Sequence, residues 1–227
     1  MKLAISQSNY LPWIGYFKLV SKVEHFIFYD QVQYTKNDWR NRNTIVLNGA
    51  PNWLTIPINY RFSDRLPINQ VRLPASNWKD EHLEKISSAY KDQNNFSEYF
   101  PNLMRIISND HEFLSELNQE IVRQYAKVFN IKTKFHATHT IDLNLDRNRR
   151  IIETCKDFSA RTYVCSPKSL NYIDRGLFEK NGIELEIINF DDCLEGYKQN
   201  SRIFDPHVSF LDLLFMTGVD GVARRLR

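Results

Sequence analysis

Glycine is scarce here, with seven residues in 227. So few glycines exclude a clustered-glycine cradle for phosphate, and neither G-x-G-x-x-G nor G-x-x-x-x-G-K-[ST] occurs. Cysteine is scarcer still. Cys155, Cys165 and Cys193 are an odd number without C-x-x-C spacing, which argues against a disulfide scaffold or a zinc ribbon and fits a reducing compartment. No apolar run approaches the roughly 20 residues of a membrane span. The start, "MKLAISQSNY", turns polar too soon for a signal peptide. The expected location is therefore the cytoplasm, with no membrane span. A strong charge of one sign is also missing: 30 Lys+Arg stand against 27 Asp+Glu, a net charge of +3. No nucleic-acid partner is expected, and the basic runs "RNRR" (Arg147 to Arg150) and "RRLR" (Arg224 to Arg227) read as solvated faces.

What is present is an ordinary globular composition, 42% hydrophobic and 25% charged, long enough for one large domain carrying inserted pieces. A short strand is expected over about residues 2–6. Pro12 suits the first turn of a helix, and Trp13, Tyr16, Phe17 and Val20 share a helical face. "HFIFYD" follows as an apolar strand, which completes a βαβ unit with a parallel pair. Residues 37–75 read as a β-hairpin region, turning at Asn48–Gly49, with "NQVRL" as a further strand. Residues 76–130 read as helical, including "PNLMRIIS". The last third alternates: "IKTKFHAT", a helix capped by Asp146, "RTYVCS", a helix closed by Gly182, "IELEIINF", and a helix stopped at Gly218. The fold class expected is α/β with a mainly parallel, Rossmann-like sheet, the hairpin region and helical segment being insertions.

In such sheets ligands bind beyond the carboxyl ends of the strands. That rule selects Gln7, Asn9 and Tyr10 after the first strand, and Asp30, Gln33 and Tyr34 after the second. It selects Ser166, Lys168 and Tyr172 after "RTYVC", and Tyr197 and Gln199 after the last strand.

The stretch "QSNYLPWIGYFK" has the pattern Q-x-x-Y-L-P-W-x-G-Y-F, and W-x-N-R-x-x-I follows at Trp39, Asn41, Arg42 and Ile45. With "NWLTIPI", "NWKDEHLEKISSAY", "YKQNSRIFDP" and "SFLDLLFMTG" in the same order, the chain resembles the WbqC-like protein family from Gln7 to Gly218. The resemblance implies a role in bacterial O-antigen or other surface polysaccharide synthesis. It implies acyl transfer, specifically glycyl transfer, to the amino group of a nucleotide-linked amino sugar. The donor would be an acyl-carrier protein thioester or an activated amino acid, and no cofactor or metal is expected. The layout of the first strand and helix is also similar to nucleotidylyltransferases, which place H-x-G-H there. Trp13 stands at the first histidine's place and Tyr16 at the second's, which removes the charged donors of that chemistry. Nucleotide or nucleotide-sugar binding without turnover is the first alternative, and a non-catalytic module of a polysaccharide assembly complex is the second.

Acyl transfer to an amine needs a base, oxyanion donors and a pocket. The candidate base is His82, whose other reading is a packed helix histidine. Asp30 either orients a histidine, acts as base, binds a sugar hydroxyl, or bonds nearby backbone amides as a turn carboxylate. Cys165 is either a thioester nucleophile or a buried thiol. Lys36, Asn41 and Arg42 are polar candidates, with Arg42 either holding a phosphate or carboxylate or bracing the sheet. Trp13, Tyr16, Trp39, Tyr172 and Tyr197 are candidates for stacking on rings. His136 and His139, three apart without a third ligand, do not make a metal site.

Overall fold

A computed structural model describes residues 1–137 and 142–227. His139 lies outside the described residues. The chain opens in the expected order, with β1 (Lys2–Ser6), α1 (Ile14–Ser21) and β2 (His25–Phe28), but Trp13 is the extended N-cap of α1, so Pro12 precedes the helix instead of forming its first turn. β1 and β2 pair in parallel, Leu3 opposite His25 through Ser6 opposite Phe28. The period of two along these strands divides their side chains between two cores. Ala4, Phe26 and Phe28 face one core, while Leu3 and Ile27 face the other.

β3 (Arg42–Leu47) and β4 (Ala50–Thr55) form the separate antiparallel hairpin. Asn48 and Gly49 both take positive φ, 54° and 79°, which is what a two-residue turn matched to strand twist requires. "NQVRL" is not a strand. Ile68–Gln70 forms a 3-10 turn, and pairing is limited to a single bridge from Arg72 to Phe113. Three helices follow, α2 (Trp78–Tyr90), α3 (Phe96–Ser108) and α4 (Leu114–Val128). α3 begins five residues before Pro101, where the sequence suggested a start. Phe96 stacks on Phe100 and packs against Phe215, and this burial outweighs the one backbone bond that Pro101 removes.

The last third alternates β5 (Lys134–Ala137), α5 (Arg147–Asp157), β6 (Thr162–Cys165), α6 (Arg175–Lys180), β7 (Glu184–Ile187) and a short α7 (Asp191–Leu194). It ends in α8 (Phe210–Arg225). The large sheet has the order β5-β2-β1-β6-β7 with every pair parallel, so strand order reverses between β1 and β6. Gly218 does not stop α8 but bends it, with φ 68° and ψ −175°, and helix resumes beyond it. Asn95 lies in the bend. Its Nδ2 donates to the carbonyl of Phe215, and a Cβ at position 218 would sit 2.9 Å from its Oδ1. No helix among the described residues is long and apolar enough to cross a membrane.

Candidate functional site

The reversal between β1 and β6 opens a crevice at the carboxyl ends of the strands, the general ligand position of open α/β sheets. The cavity there is about 930 Å³. Its wall includes Gln7 and Asn9 after β1, Trp13, Gly15 and Tyr16 at α1, and Cys165, Ser166, Lys168 and Ser169 after β6.

The loop from Gln7 to Leu11 is held from every side. The backbone N–H of Ser8 donates to Asp30 Oδ1 at 2.8 Å, and that of Tyr10 to the carbonyl of Trp39 at 2.9 Å. Asn43 Nδ2 donates to the carbonyl of Leu11, whose φ of 42° is unusual for a leucine. Arg40 donates to Asn9 Oδ1 at 3.0 Å and to Gln7 Oε1. The segment from Trp39 to Asn43 is thus a clamp on the loop after β1. Both side-chain carbonyls, of Gln7 and Asn9, are occupied by Arg40, so their NH₂ groups are the donors that remain.

Trp13 forms a wall of the crevice, with ring centroids 5.2 Å from both Phe190 and His207. Its indole lies on Gly15, where a Cβ would be only 2.2 Å from Cζ2. Gly15→Ala is therefore expected to displace the indole, costing ~1–3 kcal/mol by overpacking and changing the near-UV tryptophan circular dichroism. In a Trp13→Ala background the sign reverses. There the same change gains roughly 0.5–1 kcal/mol, because alanine is the better helix residue. Urea melts of the four proteins measure this.

Of the sequence-selected residues, Gln7, Trp13, Tyr16, Trp39, Cys165, Ser166 and Tyr172 line the crevice. The others do not. His82 is 3% exposed, and Tyr10 Oη meets its Nδ1 at 2.8 Å behind the loop. Burial lowers its pKa to about 4, so the ring is neutral. Asp30 is buried, and its second oxygen accepts from Gln119 Nε2 at 2.8 Å. Burial raises its pKa against the pull of those donors. Tyr34 is buried edge-on against Tyr60, and Lys36 is exposed. Asn41 is buried with Nδ2 donating to the carbonyl of Ile56. Arg42 lies over the Trp53 ring at 4.3 Å. Tyr197 and Gln199 both donate to Asp212 Oδ2, at 2.5 and 2.9 Å. Cys165 is in the crevice wall but nearly inaccessible, and burial pushes its thiol up to about 11.

Among the crevice residues that fell outside the sequence selection are three arginines and a histidine: Arg40, Arg147, Arg150 and His207. Arg147 and Arg150 had a usable signal. They occupy the first turns of a helix leading into β6, and crossover helices start at the ligand edge of the sheet. His207 had none. It arrives through long-range pairing, with Ser209 bridged to Trp13 and the Phe210 N–H donating to the carbonyl of Pro12.

No solved structure matches the chain. It is 33% identical over 220 residues to a protein of Mycobacterium tuberculosis (strain ATCC 25618 / H37Rv) described as uncharacterized protein Rv1507c, covering 96% of this chain and 95% of that one. The model of the WbqC-like protein family matches residues 7–224, nearly everything after β1 and nearly the whole crevice, and the chain belongs to that family.

Proposed function

We propose that this protein is an N-acyltransferase that places a small acyl group, glycyl in the first instance, on the amino group of a nucleotide-linked amino sugar for bacterial surface polysaccharide. One observation carries the reading. The crevice at the switch point is walled by aromatic rings, amides and cations, and among the described residues no carboxylate lines it, Asp205 standing 3.6 Å from His207 Nδ1 outside the wall. An amine attacks only with its lone pair free, and a wall without carboxylates gives no stabilisation to the protonated form. His207 is the imidazole on that wall, and it takes the proton of the attacking amine. The new C–N bond forms as the bond from the acyl carbon to its carrier breaks. The carrier leaves as a thiol or a phosphate ester, according to whether the donor is a carrier-protein thioester or an activated amino acid. The free NH₂ groups of Gln7 and Asn9 supply donors for the oxyanion. Asp30 acts as a positioning residue by fixing the loop that carries these amides.

The test is mass spectrometry of a dTDP-linked amino sugar incubated with the protein and glycyl donors of both classes. A mass gain of one glycyl group is expected. His207→Ala should lower kcat by roughly 10²–10⁴, while Cys165→Ser should leave it within a few-fold because that thiol stays protonated at neutral pH. No mass gain with any donor, or an unaffected His207→Ala, overturns the reading. A second reading, nucleotide-sugar binding without turnover, is favoured by the neutral Trp13 and Tyr16 on the crevice wall. It gives a thermal shift with the nucleotide sugar and no product.

A further inference from the structure

Three of the crevice cations line it from α5 and from the loop after β6. Arg147 lies 4.3 Å over the ring of Tyr172, Asn148 Nδ2 donates to the carbonyl of Tyr172, and Lys168 stands four residues before that tyrosine. Arg150 is one helical turn along from Arg147. Its guanidinium donates to the carbonyls of Leu145 and Leu143, at 2.6 and 2.7 Å, and to Tyr29 Oη at 3.0 Å. All three of its partners are neutral, so the arginine is held in place while its charge is left unbalanced.

Carboxylates account for 27 of the 227 residues, yet among the described residues none lines this crevice. The nearest in sequence, Asp146, pairs with Arg149, which does not line it. Asp146 also accepts from the N–H groups of Asn148 and Arg149, so the start of α5 is already capped and its amides are occupied. An anion here must be held by side chains. Arg40, the fourth cation, is different, because it is 3.4 Å from Asp38 and spends its donors on Gln7 and Asn9.

We infer that Arg147, Arg150 and Lys168 form a subsite for the diphosphate of a nucleoside diphosphate ligand. One arginine would suffice for a single carboxylate. Two arginines and a lysine match two adjacent phosphoryl groups, with the planar forks taking paired oxygens and the lysine acting as a point charge. The cations lie inside a crevice of about 930 Å³ rather than along an open stripe, a volume suited to a nucleotide-sized molecule and not to a polymer. The Tyr172 ring under Arg147 keeps that side chain ordered before the ligand arrives. The inference deepens the proposed function and rests on its nucleotide-linked acceptor, but it does not depend on acyl transfer.

The test is isothermal titration of the full chain with inorganic pyrophosphate, five nucleoside diphosphates (ADP, CDP, GDP, UDP and dTDP) and their uncharged nucleosides. Pyrophosphate and at least one diphosphate should bind, the diphosphate at least tenfold tighter than its nucleoside, and more weakly as salt rises. Arg147→Ala and Lys168→Ala should each weaken the diphosphate roughly tenfold or more without altering the melting curve or nucleoside binding. These two are chosen because Arg150 also braces residues 143–145. Pyrophosphate and every diphosphate failing to bind overturns the inference, as does unchanged diphosphate affinity in both variants. If these dependences hold and no donor gives a mass gain, the subsite stands and acyl transfer falls. If product forms with an unaltered KM in both variants, the subsite falls and acyl transfer stands.

Discussion

Asp212→Ala is expected to lower the melting temperature by roughly 10 °C, a loss of ~4 kcal/mol in a chain of this size. Asp212 is wholly buried near the start of α8 and accepts three side-chain hydrogen bonds. Tyr90 Oη donates to one oxygen at 2.8 Å, and Tyr197 Oη and Gln199 Nε2 donate to the other. Tyr90 Oη in turn accepts the N–H of Val46 at 3.0 Å, so the carboxylate ties α2, the hairpin and α8 to the segment before α8. Alanine leaves two phenols and an amide facing apolar surroundings, and the cost of unmade buried bonds dominates. Asp212→Asn is expected to cost less, ~1–2 kcal/mol. Its oxygen still accepts on one side, and a phenol can rotate to accept from its NH₂, but the Gln199 amide then faces another donor. Differential scanning calorimetry measures both. An alanine variant melting within 2 °C of the parent would mean that the network is ornamental. The same network holds the segment of residues 197–207, which ends in His207, so the alanine variant should also lose activity beyond what its unfolded fraction accounts for.

The fold was legible where short-range chemistry decides it. Strand period, the Asn48–Gly49 turn and the Asp146 cap each act within a few residues, and each is where the sequence put it. The errors lie where distant packing outweighs a local signal. Pro101 reads as a helix start, but the Phe96 ring finds Phe100 and Phe215 and extends α3 backwards. Gly218 reads as a stop, but Asn95 satisfies the Phe215 carbonyl exposed by the bend, and the helix continues.

The site divides in the same way. The rule of strand carboxyl ends leads directly to Gln7, Cys165 and Ser166. It does not say which of several polar residues after a strand turns outward. Asp30 and Tyr10 follow their strands just as Gln7 does, yet Asp30 turns to the Ser8 amide and to Gln119 of α4, and Tyr10 to His82 of α2. Nor does composition reveal that "RNRR" splits its charges, with Arg147 and Arg150 on the crevice and Arg149 on Asp146. That split comes from the helical period combined with the direction of the crossover, and neither is visible in the run itself.

His82 should make stability depend on pH between about 6.5 and 4, with a total change of about 3 kcal/mol. Tyr10 Oη lies 2.8 Å from Nδ1, and the Thr55 carbonyl that partly supports the pKa calls for the tautomer with its proton on Nε2, in which Nδ1 accepts from Tyr10. Burial is the larger influence and lowers that pKa from 6.5 to about 4. As pH falls below 6.5 the unfolded chain takes up a proton that the folded chain refuses, so the unfolded state gains. The stabilisation from a neutral His82 is thus complete above 6.5 and is lost as pH falls through about 4. Asp30 and Asp212 act with the opposite sign. Burial raises both carboxyls, so above the ordinary aspartate pKa the folded chain keeps protons that the unfolded chain has released, and acidification stabilises it. The parent protein shows only the net of these effects. Subtracting the pH profile of His82→Gln isolates the histidine, since the two aspartates titrate alike in both proteins and cancel. The difference should slope between pH 6.5 and 4 and flatten outside that window, as read by urea denaturation at half-unit steps. A flat difference would mean that His82 titrates as it does in water, and would return it to the candidates for a working base.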